Sequence, residues 1–297
     1  MNEPSHIMSL EETVVIVGVG MIGGSLAAAI KRARIVNCVI GVGRDPARLE
    51  AARISGLIDE AATDISKVIR RATLVIFCIP VERVVEDVLR TVTSRTATTG
   101  NLLTESCDKN VLYTDVGSVK GPICSALEDV PEFVGSHPIA GSHRQGFESA
   151  DAGLFQNRLC VVTPVASASE SKIRRLENFW RAVGMRTARM SPEAHDSALA
   201  MTSHLPHVAA AALASTLSAE YRPLTGSGFR DTTRVAGGDP ELWTGILTSN
   251  AAPVIHGIDR LQTVLSAYRE ALANGDSAAI RRLLAEGQRS RSSVDET

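Results

Sequence analysis

The segment Thr13-Val14-Val15-Ile16-Val17-Gly18-Val19-Gly20-Met21-Ile22-Gly23 joins two patterns end to end. Thr13–Val17 is a β-branched run of the kind found in a buried parallel strand. Gly18 to Gly23 fits G-x-G-x-x-G, and Ser25–Ala33 continues as a helix rich in Ala and Leu. Glycine spacing alone is weak. Between a strand and a helix it has a defined physical meaning. Gly18 permits the tight turn, Gly20 lets backbone approach a pyrophosphate, and Gly23 allows close helix–strand packing. The N-terminus of the helix that follows offers N–H groups and a positive dipole end to phosphate, with Met21 and Ile22 in the turn leading to it. Gly18, Gly20, Met21, Ile22 and Gly23 are therefore the candidate cofactor-binding residues. A glycine-rich turn without a ligand is the competing reading, and the strand–turn–helix context argues against it.

Outward from this unit, strands alternate with helical stretches. Cys38–Val42, Leu74–Ile79, Leu112–Val116, Phe133–Gly135 and Leu159–Thr163 read as strands, with Met185–Met190 as a last one. Asp45 starts a helix as N-cap, with Pro46 at its first position. Glu170–Val183 has helical periodicity and ends at Gly184. Beyond Ser191 the chain reads as helices: Pro192–Ser218, bent near Pro206, then Glu241–Asn250, Pro253–Asn274 and Ser277–Gln288. Arg289–Thr297 reads as a frayed polar tail. The expected fold is α/β: a Rossmann-type parallel-sheet dinucleotide-binding domain over residues 10–190, then an all-helical domain over residues 191–290.

Composition narrows the partners. The chain has 297 residues, 44% hydrophobic and 22% charged, with a net charge of −2 and 4% aromatics. Neither a basic field nor a stacking platform for nucleic acid or anionic membrane is present. Met1–Glu12 carries acids where a secretory signal needs a basic region. Thr13–Ile30 is uncharged, but its central glycines suit a strand and a helix better than a membrane span. Cys38, Cys78, Cys107, Cys124 and Cys160 are odd in number and lack C-x-x-C spacing, which points to free thiols in a reducing cytoplasm.

The end of the second strand bears on the dinucleotide. NAD sites place an acid there for the ribose 2′-OH. This chain has Gly43-Arg44, with Asp45 one residue further on. Arg44 could pair with a 2′-phosphate, which favours NADP over NAD, and a solvated loop arginine has nearly equal weight.

Three stretches carry chemistry. Asp115-Val116-Gly117-Ser118-Val119-Lys120 and Ser136-His137-Pro138-Ile139-Ala140-Gly141-Ser142 both follow strands, where open α/β sheets bind ligands. Ser203-His204-Leu205-Pro206-His207 lies on the long helix. His137, read as a loop residue, has a side chain suited to accept a proton near neutral pH, although a lone histidine is more often structural. His204 and His207 are spaced to share a helix face. No acid or thiol pattern completes a zinc set with them, so no metal is expected.

Taken in order, GVGMIGGSLA, DVGSVK, SHPIAGS, HD…SHLPH and FRDTTRVAGGDPELW resemble the prephenate/arogenate dehydrogenases of tyrosine biosynthesis. The resemblance runs from about Val14 to Gln288. It implies oxidative decarboxylation of a cyclohexadiene, with hydride transfer to NAD(P)+. It implies His137 as the catalytic base and Ser118 as the serine that bonds the substrate hydroxyl and orients that histidine. His207 matches a substrate-binding histidine and Arg234 an arginine that holds a substrate carboxylate. His204 falls to a supporting role at the substrate, and Arg230 and Trp243 to packing or interface roles. A homodimer through the helical domain is also implied.

The chain departs from the pattern in places. His143-Arg144 stands where many relatives carry an acid, and its positive charge disfavours the ammonium of arogenate. The chain ends soon after the last expected helix, and no C-terminal regulatory module is expected. Gly43 replaces the acid expected of an NAD-preferring member. A β-hydroxyacid dehydrogenase would need a catalytic lysine early in the helical half. Lys172 is the one lysine after Lys120, and it reads as solvated. A non-catalytic dinucleotide sensor would show damage at His137, Ser118 or Arg234, and all are intact.

Overall fold

The structure, a computed structural model, describes residues 13–98, 111–141 and 146–295. Thr13–Val17 (β1) lies at the centre of a five-stranded sheet of order β3-β2-β1-β4-β5. Its neighbours are Cys38–Val42 (β2) and Leu74–Phe77 (β4), flanked by Glu60–Ala62 (β3) and Leu112–Asp115 (β5). All pairings are parallel, with Val14 level with Val39 and Leu74. Period-two alternation sends successive β1 side chains to opposite faces. Val14 and Ile16 pack in one core with Leu26, Ile30 and Trp180. Val15 packs in the other with Val84, Val88 and Ile123.

The helices follow from their sequences. Met21–Ala33 (α1) begins four residues earlier than the Ala/Leu run suggests, because Gly20 serves as its N-cap. In Pro46–Ile54 (α2) the Asp45 side chain accepts from Ala47 N and Arg48 N, the capping its position implied. Val81–Thr98 (α3) and Gly121–Ala126 (α4) cover the second face. Glu170–Val183 (α5) stops at Gly184, which takes the left-handed conformation at φ +107°.

The remaining strands correct the expectation of one parallel sheet. Val134–Pro138 (β6), Leu159–Pro164 (β7) and Arg186–Arg189 (β8) form a separate three-stranded sheet. Here β6 is antiparallel to β7, and β7 is parallel to β8. A single parallel bridge, Tyr113 to Phe133, joins it to the end of the first sheet. Strand β6 extends three residues past the expected Gly135, so His137 lies on the strand opposite Val161 rather than in a loop. Lys172 is not simply solvated: its ammonium donates to the Pro131 carbonyl and pairs with Glu132 at the start of this sheet.

After Ser191 the described chain is helical. Pro192–Leu199 (α6) and Leu205–Ser215 (α7) are joined through a π-helical turn, Ala200–His204. The irregularity therefore precedes Pro206. Pro206 follows it closely, and the missing proline N–H and the bulk of its ring fall on that preceding turn. Ser227–Thr233 (α8), Pro240–Ser249 (α9), Ala251–Ala273 (α10) and Ser277–Asp295 (α11) follow. The tail expected to fray from Arg289 is helical to Asp295, since no proline interrupts it and its polar side chains face solvent. No described helix is long and apolar enough to cross a membrane.

A buried ion pair holds the two sheets together. Lys120 and Asp115 are both fully buried, and the Lys120 ammonium donates to the Asp115 carboxylate and to the Ser136 carbonyl (3.0 Å). Asp115 also accepts from Gly117 N at 2.9 Å. Removing one partner of such a pair strands the other charge away from water. Lys120→Met should therefore lower unfolding stability by about 3–5 kcal/mol, measured by urea denaturation. A loss below about 1 kcal/mol would show that backbone donors alone satisfy Asp115.

Candidate active site

The glycine-rich turn has the shape of a phosphate cradle. Gly18 has φ +94°, and a Cβ there would overlap the Cys78 carbonyl. A Cβ on Gly23 would overlap the Gly18 carbonyl oxygen, so these two glycines are required by packing. Gly20 differs: nothing lies within 4 Å of a Cβ built on it. That position faces open space in front of the first turn of α1, which has neither a side-chain cap nor an acidic residue. Its N–H groups and dipole are open to an anion, so the residues present fit a dinucleotide pyrophosphate. Gly18 N donates to Val42 O at 2.8 Å, which brings the end of β2 against this turn. Arg44 follows there, exposed, while the nearby Asp45 carboxylate is engaged in capping α2.

The second feature is a buried polar chain across the two halves of the molecule. On β6, the His137 Nδ1 lies 2.9 Å from Nε2 of His195 on α6. His195 Nδ1 lies 2.7 Å from Asp196 Oδ1. Asp196 in turn accepts from Lys120 N and Gly121 N, each at 2.7 Å. Burial is the largest cause holding the His137 pKa well below the ordinary histidine value, followed by His195, Lys120 and His204. His137 is therefore neutral at physiological pH.

The helical half adds a second histidine group. Asn250 Nδ2 donates to the Asp196 carbonyl (2.9 Å) and lies 3.0 Å from His204 Nδ1. Burial lowers the His204 pKa to about 4, against an opposing pull from Asp196. His207 stacks on Trp243 with centroids 3.6 Å apart and planes 12° from parallel. Buried His204 Nε2 and His207 Nδ1 have no hydrogen-bond partner among the described residues. A Cβ on Gly238 would come within 2.5 Å of Trp243 and 3.0 Å of His207. Thus the turn Arg234–Gly237 is held beside this stack, and Arg234 itself is exposed on it.

The structure brings His137, His204 and the DVGSVK loop into one region. Ser118 is half-buried in that loop, and among the described residues no hydrogen bond joins it to His137. Arg234 has no ion-pair partner among the described residues. Trp243 packs against both histidines. His143 and Cys107 lie outside the described residues, as do Met1–Glu12. Sequence reasoning gave no role to His195, Asp196 or Asn250. The pair His195-Asp196 stood in the quoted HD motif, but its partner lies 58 residues earlier on another element. Asn250 carried no signal at all.

Comparison with known proteins agrees with both halves. Residues 26–189 match the family profile "Prephenate dehydrogenase, nucleotide-binding domain", and residues 191–286 match "Prephenate dehydrogenase, dimerization domain". The cyclohexadienyl dehydrogenase of Zymomonas mobilis is 31% identical over 294 residues, covering 96% of each chain. The crystal structure of prephenate dehydrogenase from Aquifex aeolicus, in complex with hydroxyphenyl propionate and NAD+, superposes with a TM-score of 0.84 at 30% identity. That match covers 95% of this chain and 98% of the other. The Synechocystis arogenate dehydrogenase structure gives 0.80 at 30% identity, covering 95% and 99%.

The glycines supply a paired test. Gly23→Ala should lower the melting temperature, because its methyl group meets backbone. Gly20→Ala should leave the melting temperature within about 2 °C and weaken dinucleotide binding, read by calorimetry. Equal effects of the two on stability would contradict the cradle.

Proposed function

The chain belongs to the prephenate dehydrogenase family, and we propose that it oxidatively decarboxylates prephenate, with His137 as the base, in tyrosine biosynthesis. The observation that carries this reading is a buried, neutral histidine on β6, linked to the helical half and close to a second histidine group. We divide the work between residues 10–190, which bind the dinucleotide, and residues 191–290, which bind substrate and a second copy of the chain.

When bound, the nicotinamide ring supplies the acceptor for the hydride leaving C4 of the substrate. The protein's part is to position groups and to move one proton. His137 takes the proton of the 4-hydroxyl as C4 becomes a carbonyl carbon. Loss of carbon dioxide from C1 then sends electrons to that oxygen, and the proton held on His137 returns to it as the ring aromatises. No proton is gained or lost overall. Ser118 bonds the hydroxyl and holds it toward His137. Arg234 holds a substrate carboxylate, and His207 and His204 support the ring and side chain. Prephenate is favoured over arogenate on the positive charge of His143-Arg144.

NADP is the preferred cofactor in this reading. Arg44 is exposed at the end of β2, and Asp45 is spent on the α2 N-cap rather than presented to a ribose. Dimerisation through the helical half is supported by its exposed apolar side chains, among them Leu213, Leu242, Ile255, Leu265 and Leu272. A reducing cytoplasm is the compartment that suits the free thiols Cys38, Cys78, Cys124 and Cys160.

Turnover with prephenate or arogenate, each with NADP+ or NAD+, is followed by nicotinamide absorbance. Prephenate with NADP+ should be fastest, and inactivity in all four mixtures would overturn the assignment. His137→Asn should lose at least about a hundredfold in kcat while still binding dinucleotide. Near-normal turnover would remove His137 as the base. Arg44→Ala should raise KM for NADP+ about tenfold or more and leave NAD+ nearly unchanged. An equal effect on both would reverse the cofactor preference.

A further inference from the structure

We infer that His195 and Asp196 are positioning residues that fix the tautomer of His137, so that its Nε2 presents a lone pair to the substrate. This rests on the reading of His137 as the base. Two points of geometry carry it.

The first is the set of donors around Asp196. Its Oδ1 accepts from Lys120 N and its Oδ2 from Gly121 N, both backbone N–H groups that can only donate. The carboxylate is thereby fixed in orientation, and it faces His195 Nδ1 as an acceptor at 2.7 Å. His195 Nδ1 must then carry the hydrogen. The second point follows along the ring. With that hydrogen alone on the ring, His195 offers the lone pair of Nε2, which lies 2.9 Å from His137 Nδ1. That contact requires the hydrogen on His137 Nδ1, which leaves Nε2 of His137 as the only ring atom able to accept a proton.

The alternative tautomer is costly. With hydrogen on His137 Nε2 and His195 still carrying its one hydrogen on Nδ1, two lone pairs would face each other at 2.9 Å, away from water. Reversing His195 as well sets its lone pair against the Asp196 carboxylate, and a doubly protonated His195 would donate on both sides and leave the hydrogen on His137 Nε2, a pattern the spectra below distinguish. Thus one fixed carboxylate propagates through two rings. The same arrangement assists the proton's stay: when Nε2 of His137 is protonated, the ring's positive charge is shared through Nδ1–H toward His195 and Asp196. Both His195 and Asp196 come from α6, while His137 comes from β6. Docking of the helical half is therefore what sets the base.

The tautomer is read directly by two-bond 1H–15N correlation spectra of the full chain labelled with 15N-histidine, with the His137 signals assigned by their loss in His137→Asn. The expected pattern is Nδ1–H with an unprotonated Nε2. A protonated Nε2 in the wild-type protein would overturn the inference. Asp196→Asn should move His137 toward a mixture of tautomers, and an unchanged pattern in a folded variant would also overturn it. Kinetics give an independent arm. His195→Gln can place its amide oxygen where Nε2 of His195 lies and still accept from His137, whereas the shorter side chain of His195→Asn cannot. The Gln variant should retain at least about tenfold more kcat than the Asn variant, with KM for both substrates little changed. Equal losses would overturn the positioning role. Should the Asn variant fail to fold by circular dichroism, a Gln variant more than about a hundredfold below wild type would overturn it instead. Because the spectra need no turnover, a wrong assignment of the base would show in His137→Asn kinetics while leaving the tautomer result standing.

Discussion

The carboxylate of Asp196 is bound by N–H donors from both halves of the molecule. Lys120 N and Gly121 N come from the loop that ends β5 and opens α4, and His195 Nδ1 comes from the adjoining position on α6. A buried carboxylate is tolerated only when its lone pairs are taken up. Here that requirement does more than stabilise. It fixes where the first turn of α6 meets the sheet edge, and so where His195 meets His137. The main-chain carbonyl of Asp196 continues the connection through Asn250 to His204. One residue thus sets the distance between the sheet-borne and helix-borne parts of the site.

A second polar seam lies beneath it. Asp115, Lys120 and Ser136 are wholly buried at the junction of the two sheets. Ser136 Oγ donates to the Asp115 carbonyl at 2.8 Å and accepts from Trp180 Nε1 at 3.1 Å. Every member of this seam is bonded, which is the condition under which buried polar groups rigidify rather than weaken an interior. His137 is the next residue along β6 and inherits that rigidity. The glycine-rich turn, on the other side of the sheet's switch in strand order, is stiff for a different reason: backbone meets backbone at Gly18 and Gly23.

Much of this was readable in the chain. Strands β1 and β2 and helix α5 fall at their expected residues, because β-branched runs and an apolar helical stripe are local signals. Asp45-Pro46 announced its cap for the same reason. The elements that gave no warning are those that depend on partners. Glu60–Ala62 has no strand propensity and pairs only because Ile40–Val42 offers an open edge. The second sheet was invisible because the direction of β6 is set by β7, more than twenty residues later. In the site, His137 and His207 were legible as motif residues. The groups that govern His137 were not, since a hydrogen bond between residues 58 apart leaves no local mark.

The π-helical turn Ala200–His204 can be read as a change of phase. In an unbroken α-helix each residue advances by about 100°, so Asp196 and His204, eight positions apart, would point about 80° away from one another. A π turn takes up one surplus residue without advancing the face. The separation then falls to about −20°, which sets His204 on the face of Asp196, and Asn250 reaches both the Asp196 main-chain carbonyl and the His204 ring. The extra residue works like a vernier. It lets the segment that grips the sheet and the segment that bears the histidines keep separate rotational settings within one continuous rod.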